Sequence, residues 1–289
     1  MKKLILFLIL LTLVLGLVWW FLKKDESETI VLPQQKIEYE STSLKLMTWN
    51  AFNFGKSKSE TEIAFFAKQM KSFDLVTIQE VSTGNYGAKA VAALVDELNR
   101  TGAKWDYVIS DGTSGEGSER YAYLWKTSKV KLKGNAWLES SLENEIDREP
   151  FMARFQIRDE SVLLASFHAV PTGKNPETEC ELLVRLNGKY PEDHIMIMGD
   201  FNLSEKSEAF DELKKNGFEP AVTQQKTSLK MKVSDDEHLA NEYDNIFFES
   251  KPIHKISSGV IDFSKEFSSL KDARTISDHI PVYLEFVLN

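Results

Sequence analysis

Residues 195–202 read Ile-Met-Ile-Met-Gly-Asp-Phe-Asn, four apolar residues that run directly into a glycine, a carboxylate and an amide. Polar residues stand at the ends of five other apolar runs: Asn50, Gln79-Glu80 and His168 follow theirs, whereas Asp244 and Asp278-His279 precede theirs. If the last two strands run opposite to the other four, all six polar clusters meet at one edge of the sheets. The pattern therefore predicts a functional site held on rigid strands.

Outward from this stretch, short strand-like runs alternate with amphipathic helices. The helical period of 3.6 residues is found around residues 63–70, 91–98 and 207–216, the last of which stops at Gly217. The strand candidates are Leu44–Trp49, Leu75–Ile78, Tyr121–Trp125, Phe151–Ile157, Val162–Phe167, Ile195–Met198, Asn245–Phe248 and Pro281–Val287. Strands and helices alternate in the first half and strands predominate later, which predicts an α/β layered domain.

Composition and charge exclude several classes of protein. The 289 residues are 42% hydrophobic and 27% charged, which excludes a disordered or low-complexity chain. Residues 25–289 contain 31 Lys and Arg against 44 Asp and Glu, a net charge of −13, which excludes a generic basic binding module. Attraction to a phosphate backbone must then come from divalent cations or a local basic patch. The single cysteine, Cys180, excludes an intramolecular disulfide and a cysteine-based zinc site.

The first 24 residues differ from the remainder. Leu4 to Leu22 is 19 residues without a charge, about 28 Å as a helix, and Lys23 and Lys24 close it. We predict a transmembrane helix within residues 1–24, either an uncleaved membrane anchor or a cleaved signal segment. Residues 25–43 are a polar linker, and the remaining residues, 44–289, are long enough for one large domain.

The residues at the strand ends favour hydrolysis assisted by a metal ion. They comprise four carboxylates, two amides and two histidines: Glu80, Asp200, Asp244, Asp278, Asn50, Asn202, His168 and His279. Oxygen ligands of this kind suit Mg²⁺, and histidine transfers protons near neutral pH. The chain has neither a serine nucleophile elbow nor a glycine loop ending in Lys-Ser/Thr. These residues predict hydrolysis of a phosphate ester by water.

Five motifs resemble the endonuclease/exonuclease/phosphatase superfamily. They are Met-Thr-Trp-Asn (47–50), Ile-Gln-Glu-Val (78–81), Phe-His-Ala (167–169), Met-Gly-Asp-Phe-Asn (198–202) and Ile-Ser-Asp-His-Ile-Pro-Val (276–282). The segments 118–121, 148–151 and 243–246 are similar to its deoxyribonuclease I branch. The resemblance covers residues 44–289 and implies a four-layer α/β sandwich, in which two packed mixed β-sheets are flanked by helices.

The resemblance also implies a role for each site residue. Glu80 and Asn50 would hold Mg²⁺, with Asp278 completing the metal's surroundings; Mn²⁺ would be a substitute and Ca²⁺ a structural ion. His168 paired with Glu119, and His279 paired with Asp244, would act as general acid and general base, in an order left open. Asp200 would orient or activate the water. The expected substrate contacts are Asn202, Arg148 and Thr227.

Three positions depart from the deoxyribonuclease pattern. Enzymes of that branch insert basic and tyrosine side chains into the DNA minor groove, and the matching residues here are Phe52, Ser82 and Gly117. The residues assigned above to phosphodiester hydrolysis match the family pattern. The three departures imply that DNA is bound differently. The Gly/Ser-rich loop Asp111–Ser118 is either a substrate loop or a simple connection.

The sequence thus predicts a Mg²⁺-dependent phosphodiesterase, a DNase I-like endonuclease that cuts DNA without sequence specificity. One alternative is a sphingomyelinase or phosphoinositide phosphatase acting on lipid, and another is a non-catalytic, membrane-tethered binding module. The expected partners are DNA as substrate and a membrane through the N-terminal helix, with no protein partner implied. We expect the catalytic domain to lie outside the cytoplasm, anchored to the membrane or secreted.

Overall fold

The computed structural model of the chain describes residues 43–234 and 237–289. The predicted membrane segment, residues 1–24, and nearly all of the linker lie outside the described residues. Among the helices that are described, none has the length and apolarity needed to cross a membrane.

Fifteen strands are described, together with six α-helices. The strands are β1 (Leu44–Phe54), β2 (Leu75–Val81), β3 (Trp105–Ile109), β4 (Arg120–Lys126), β5 (Lys131–Leu132), β6 (Trp137–Leu138), β7 (Phe151–Ile157), β8 (Glu160–His168), β9 (His194–Asp200), β10 (Phe218–Pro220), β11 (Leu229–Ser234), β12 (Glu237–Leu239), β13 (Asp244–Glu249), β14 (Ile253–Val260) and β15 (Val282–Leu288). The helices are α1 (Glu60–Met70), α2 (Asn85–Asn99), α3 (Glu177–Leu182), α4 (Val184–Lys189), α5 (Asp211–Lys215) and α6 (Leu270–Ile276).

Two large mixed sheets form the centre of the domain. The first has six strands in the order β14-β15-β1-β2-β4-β3, and the second has the order β10-β13-β9-β8-β7-β5 with β6 also paired to β7. In each sheet the central pair is parallel, β1 with β2 and β8 with β9. The strands on either side of these pairs are antiparallel to them. A separate hairpin is made of β11 and β12.

Three apolar clusters divide the domain into four layers. The middle cluster lies between the two sheets, where Tyr123 of β4 and Phe155 of β7 contact each other. The second packs α1 and α2 against the outer face of the six-stranded sheet, with Trp49 and Phe66 at its centre. The third covers the outer face of the other sheet with α3, α4 and α5, and includes the buried Cys180. The predicted α/β sandwich is confirmed.

All eight predicted strands are present, and several further strands were not predicted. The helix expected near residues 207–216 is a 3₁₀ turn, Glu208–Phe210, followed by α5, and Gly217 with φ +89° comes after it. Sequence reasoning missed β3 and β14 because each lies at an edge of the six-stranded sheet. Residues 253–260 read Ile-His-Lys-Ile-Ser-Ser-Gly-Val, which contains no apolar run.

The strand register brings the polar strand ends together. His168 at the end of β8 pairs with Asp200 at the end of the parallel β9, and Asp200 pairs with Asp244 at the start of the antiparallel β13. In the other sheet, Asn50 of β1 pairs with Gln79 of β2. The prediction that the last strands run opposite to the first four is confirmed, and one edge of the sandwich carries the polar clusters.

Candidate active site

Two imidazole–carboxylate pairs face one buried carboxylate. His168 Nδ1 lies 2.9 Å from Glu119 Oε2, and His279 Nδ1 lies 2.7 Å from Asp244 Oδ2. The other ring nitrogen of each histidine, Nε2, lies 3.5 Å from the same atom, Asp200 Oδ2. A carboxylate on Nδ1 fixes the orientation of an imidazole and leaves Nε2 for proton transfer. Both Nε2 atoms therefore border the space in front of Asp200.

The local sequence explains why the His279–Asp244 pair is rigid. Thr227 Oγ1 donates to Asp244 Oδ2 at 2.7 Å and accepts from the Asp244 amide at 2.9 Å. Ser277 Oγ accepts from the His279 amide at 3.0 Å and donates to the Asn50 carbonyl at 2.6 Å. These bonds join β13, the segment before β15 and the end of β1. Since Thr227 and Ser277 are completely buried, their hydroxyls have no competing water.

The charges of these groups shift their pKa values in opposite directions. Burial alone lowers the pKa of His279, but the carboxylates of Asp244 and Asp200 outweigh it and raise that pKa well above its usual value. His168 is likewise raised: burial lowers its pKa, and Glu119 more than compensates. Burial and the charge of Asp200 raise the pKa of Asp244 to about 6. Burial raises the pKa of Asp200, but the two imidazoles lower it overall.

Glu80 lies on the other side of Asn50, at a distortion of β2. Its φ of +60° is unusual for a residue with a side chain, and the β1–β2 register shifts there. Such bulges redirect side chains next to active sites. Glu80 Oε1 accepts from Asn50 Nδ2 at 2.9 Å, and Oε2 accepts from the Asn53 amide at 2.8 Å. Because Asn50 Nδ2 also donates to Asp200 Oδ2 at 3.0 Å, Asn50 connects Glu80 to Asp200.

The donor set fits a divalent cation. Glu80 and Asp200 supply hard oxygen ligands of the kind that Mg²⁺ prefers. Asp200, Asp244 and His279 are buried, and one potential ligand atom of each lies within 4.8 Å of the others. Asp244 Oδ1 is buried without a hydrogen-bond partner in the described residues, which is costly unless a cation or proton compensates it. A metal ion in this space would therefore satisfy the Asp244 oxygen that has no hydrogen-bond partner among the described residues.

The other residues predicted to bind metal or substrate are held by protein partners. Asp278 Oδ2 accepts from Arg274 Nη2 at 3.2 Å and is only partly exposed. Asn202 donates from Nδ2 to the Ala169 carbonyl at 3.1 Å, which uses one of its two amide hydrogens. Thr227 exposes no surface to solvent, so what the structure describes for it is the support of Asp244. Substrate contact by Asn202 and Thr227, and metal contact by Asp278, stay predictions.

Arg148 supports the His168 side of the site. Its Nε donates to the His168 carbonyl at 2.9 Å, and Nη2 donates to the Ala169 carbonyl. Nη1 lies 3.8 Å from Glu119 Oε2, so the guanidinium also balances the charge of that buried carboxylate. Arg148 therefore holds the end of β8 and the partner of His168, and its contact with substrate phosphate stays a prediction.

The loop Asp111–Ser118 is fastened to the segment that carries Arg148. Asp147 accepts from the amides of Glu116 and Gly117 at 2.9 and 3.0 Å. Glu149 accepts from the Ser114 amide at 2.9 Å, and it is buried. Carboxylates that each bind loop amides give the loop a defined conformation. The loop is thus ordered and ends next to Glu119, and its role as a substrate loop stays a prediction.

Sequence reasoning missed several residues that hold the candidate catalytic groups. Trp49 Nε1 donates to the His279 carbonyl at 2.8 Å, and Ser277 has the role described above. Tyr243 lies beside the His279 ring at 6.4 Å between centroids, and its hydroxyl is 3.0 Å from Thr172 Oγ1. Ser277 and Tyr243 immediately precede Asp278 and Asp244 in the quoted motifs, so proximity in sequence was the one signal that could have found them.

Comparison with known proteins assigns the chain to a class of hydrolases that act on phosphate esters. The model of the Endonuclease/Exonuclease/phosphatase family matches residues 47–279, and the chain belongs to this family of enzymes that hydrolyse phosphoester bonds. A curated protein of Thioalkalivibrio sp. (strain K90mix), called deoxyribonuclease, is 30% identical over 266 residues. The alignment covers 84% of this chain and 71% of that protein.

Solved structures share the fold at lower identity. An endonuclease/exonuclease/phosphatase family protein from Bacteroides thetaiotaomicron is 17% identical, with a TM-score of 0.64 over 86% of this chain and 98% of that one. TDP2 of D. rerio, solved with a single-strand DNA product, is 16% identical, with a TM-score of 0.59 over 85% of this chain and 99% of that one. At these identities the likeness describes the fold alone.

Proposed function

We propose that this protein is a Mg²⁺-dependent phosphodiesterase that hydrolyses DNA as a DNase I-like endonuclease without sequence specificity. The observation that carries the proposal is the pair of histidines, His168 and His279, whose Nε2 atoms each lie 3.5 Å from Asp200 Oδ2. Two proton-transfer groups next to one carboxylate suit the two proton movements of phosphodiester hydrolysis.

The residues divide the chemistry between them. Glu80, Asn50 and Asp278 are the proposed holders of Mg²⁺, which when bound would neutralise charge that develops on the phosphate. Mn²⁺ is the expected substitute, and a structural Ca²⁺ is part of the same proposal. Asp200 orients the attacking water, and Asn202 with Arg148 contacts the phosphate oxygens.

The proton balance needs both histidines. The water oxygen forms a bond to phosphorus while the bond between phosphorus and the leaving oxygen breaks. One imidazole takes the proton of the water at Nε2, and the other, protonated, gives its Nε2 proton to the leaving oxygen. The products are a phosphate monoester and an alcohol. Glu119 and Asp244 stabilise the protonated rings through Nδ1, in line with the raised pKa values of both histidines.

The similarity to a protein called deoxyribonuclease supports DNA as the substrate over a lipid. The structural likeness to TDP2 in complex with single-strand DNA is compatible with that choice. The residues assigned above keep the types that the chemistry requires, which favours an enzyme over a non-catalytic binding module.

Nicking of supercoiled plasmid tests the proposal. The full-length chain in mild detergent, incubated with plasmid and Mg²⁺, is expected to convert it to open circles, and EDTA should abolish the conversion. The double variant His168→Ala, His279→Ala should lose at least about 10²-fold in rate. Folded protein that leaves plasmid intact with Mg²⁺, Mn²⁺ and Ca²⁺ would contradict the DNA assignment, and sphingomyelin and phosphoinositides would be the next substrates.

We further propose that residues 1–24 attach the protein to a membrane, with the catalytic domain outside the cytoplasm. This rests on the uncharged stretch Leu4–Leu22 and on the harm that a non-specific nuclease would do inside the cell. Cell fractionation followed by protease treatment of intact cells tests it. A domain that stays in the soluble cytoplasmic fraction contradicts it, and a domain released into the medium identifies a cleaved signal.

A further inference from the structure

A cavity opens from the candidate site on the side of Glu80 and His168. Its volume is about 240 Å³, and besides these residues and the supports Glu119 and Arg148 its walls include Asn53, Ser82, Gly117 and Ser118. Apart from the catalytic groups and Arg148, these wall residues are small and uncharged. The cavity therefore offers space for part of a substrate beside the hydrolysed phosphate, bordered by hydroxyl and amide groups that bind phosphate and sugar oxygens.

Gly117 is closely packed against the side chains of Asp147 and Arg148. A Cβ atom added to Gly117 would lie 2.5 Å from Asp147 Oδ2 and 2.9 Å from Arg148 Nη1. Because contacts this short do not occur, a larger residue at 117 would displace the arginine that holds the end of β8. A side chain at position 117 therefore requires the ends of the Asp147 and Arg148 side chains to move.

An exposed tyrosine and a lysine are adjacent in sequence to residues that contact Ser82 in the cavity wall. Tyr86 is 52% exposed, and Lys56 Nζ lies 5.3 Å from the centre of its ring. Their neighbours pack against the cavity wall: a Cβ on Gly55 would lie 2.5 Å from Ser82 Oγ, and one on Gly87 would lie 2.0 Å from the Ser82 carbonyl oxygen. Lys56 follows Gly55 and Tyr86 precedes Gly87, so each is next in sequence to a glycine that packs against Ser82.

The charge of the segments around Lys56 and Tyr86 is opposite to that of the domain. Residues 52–59 and 81–91 contain three lysines and no acidic residue, whereas residues 25–289 carry a net charge of −13. Lys56 and Lys89 are exposed, and Lys58 is buried against the carbonyls of Thr275 and Ile276. Lys56 and Lys89 thus place two exposed positive charges near a cavity whose own wall carries Glu80 and Glu119, and such local charge attracts phosphate.

We propose that Tyr86 and Lys56 form a subsite for single-stranded nucleic acid, in which Tyr86 stacks on one base and Lys56 binds the adjoining phosphate. Ser82 and Asn53 line the path from this subsite to the hydrolysed phosphate. The inference rests on the proposed nuclease function and specifies its substrate. An exposed aromatic ring beside a cation is the arrangement that binds single strands, because an unpaired base offers a free face. In a duplex both faces of the base are already stacked.

Cleavage of an end-labelled, 12-nucleotide single strand by the full-length protein tests the subsite, because a sequencing gel gives the rate at every linkage. Tyr86→Ala is expected to lower kcat/KM by about 5- to 150-fold, the range of stacking on one base. Tyr86→Phe should change it by less than about 2-fold, since the ring is kept. Lys56→Gln should reduce the slope of log(kcat/KM) against log[salt] by a little less than one, the share of a single phosphate contact.

The decisive experiment combines Tyr86→Ala with a strand that contains one abasic nucleotide. In the wild-type protein, one abasic nucleotide in the strand should slow cleavage at a linkage a fixed distance away. In Tyr86→Ala the same abasic nucleotide should have no further effect there, because the ring that stacks on the base is already absent. The matched control is Tyr107→Ala, which removes another exposed tyrosine, on β3, and should leave both rates unchanged.

The outcomes separate the subsite from the function. Normal cleavage by Tyr86→Ala, or equal abasic effects in wild type and variant, overturns the subsite while the nuclease proposal stands. Equal losses on single strand and on the same sequence as duplex also overturn the preference for single strands. A wild-type protein that hydrolyses bis(p-nitrophenyl) phosphate but no DNA contradicts the proposed function, and the subsite with it.

Discussion

At the residue scale, His279 depends on the carboxylates that surround it. Asp244 and Asp200 keep the imidazole protonated to a higher pH than an isolated histidine. The stability gained from the protonated ring is then fully present below about pH 6.5 and is lost as the pH rises through the raised pKa. A rate that needs neutral His279 should rise over the same interval.

Replacement of Asp244 by asparagine tests this dependence. We expect Asp244→Asn to lower the pKa of His279 towards about 6.5 and to lower kcat by about 10²- to 10⁴-fold. NMR titration of the imidazole and the pH–rate profile measure the two effects. Asp262→Asn is the matched control, because Asp262 lies 2.7 Å from His238 Nε2 in a pair not assigned to the site. An unchanged His279 titration in Asp244→Asn would contradict the assignment of Asp244 as its partner.

Replacement of Thr227 distinguishes support of Asp244 from contact with the substrate. Its hydroxyl bonds Asp244 Oδ2 and accepts from the amides of Tyr243 and Asp244, so Thr227→Val leaves buried polar groups without partners. We expect a loss of about 1–3 kcal/mol in the free energy of unfolding and a lower kcat with little change in KM. Thr227→Ser should recover both, because it keeps the hydroxyl. A raised KM at unchanged kcat would instead favour the substrate role predicted from the resemblance.

The candidate catalytic residues could be named from the sequence, whereas the hydroxyl groups that hold them could not be recognised as supports. Asp200 and His168 interrupt apolar runs, and such an interruption is visible in a single sequence. The resemblance predicted Thr227 only as a substrate contact, and Ser277 lies in polar surroundings where a hydroxyl gives no signal. Their roles depend on distances between β1, β13 and β15, which only the folded chain defines.

At the scale of elements, the strand ends were predictable because the buried part of a strand requires apolar side chains, whereas a site at its end requires polar ones. The connection between the two sheets was not. Beneath the site, Gln79 Nε2 donates to Ser166 Oγ at 2.8 Å, and Thr77 Oγ1 donates to the same atom at 2.7 Å. These buried residues join β2 to β8 across the middle layer. Nothing in the apolar strand sequences indicates which sheet a threonine or glutamine faces.

Gly199 sets the spacing between β8 and β9. It has φ +141°, and a Cβ there would lie 1.9 Å from the Phe167 carbonyl oxygen. We expect Gly199→Ala to lower the free energy of unfolding by about 2–4 kcal/mol, because it adds both strain and a clash next to Asp200. Urea denaturation measures it. Gly173→Ala, where nothing lies within 4 Å, is the control and should be nearly neutral. Equal stability of the two variants would show that the strands separate without cost.

At the scale of the whole molecule, the start of β1 lies well away from the candidate site along that strand. Leu44 begins the strand and Asn50 reaches the site, a separation of about 20 Å at the usual rise per residue. The chain thus enters the domain at the edge away from the polar strand ends. An enzyme that hydrolysed lipids of its own membrane would have to turn the edge with the polar strand ends towards the bilayer. An enzyme that acts on a soluble polymer would not.

Deletion of residues 1–42 distinguishes these cases. The buried residues of the three apolar clusters all lie between Leu44 and Phe286, so the shortened chain should fold. We expect its kcat/KM on soluble DNA to stay within about 2-fold of the full-length value, because the proposed site and subsite are complete without the deleted segment. A lipid phosphoesterase should instead become much slower on vesicles once its tether is removed, since tethering raises the effective substrate concentration. A folded, shortened chain that loses its activity on DNA would mean that residues 1–42 contribute to catalysis directly.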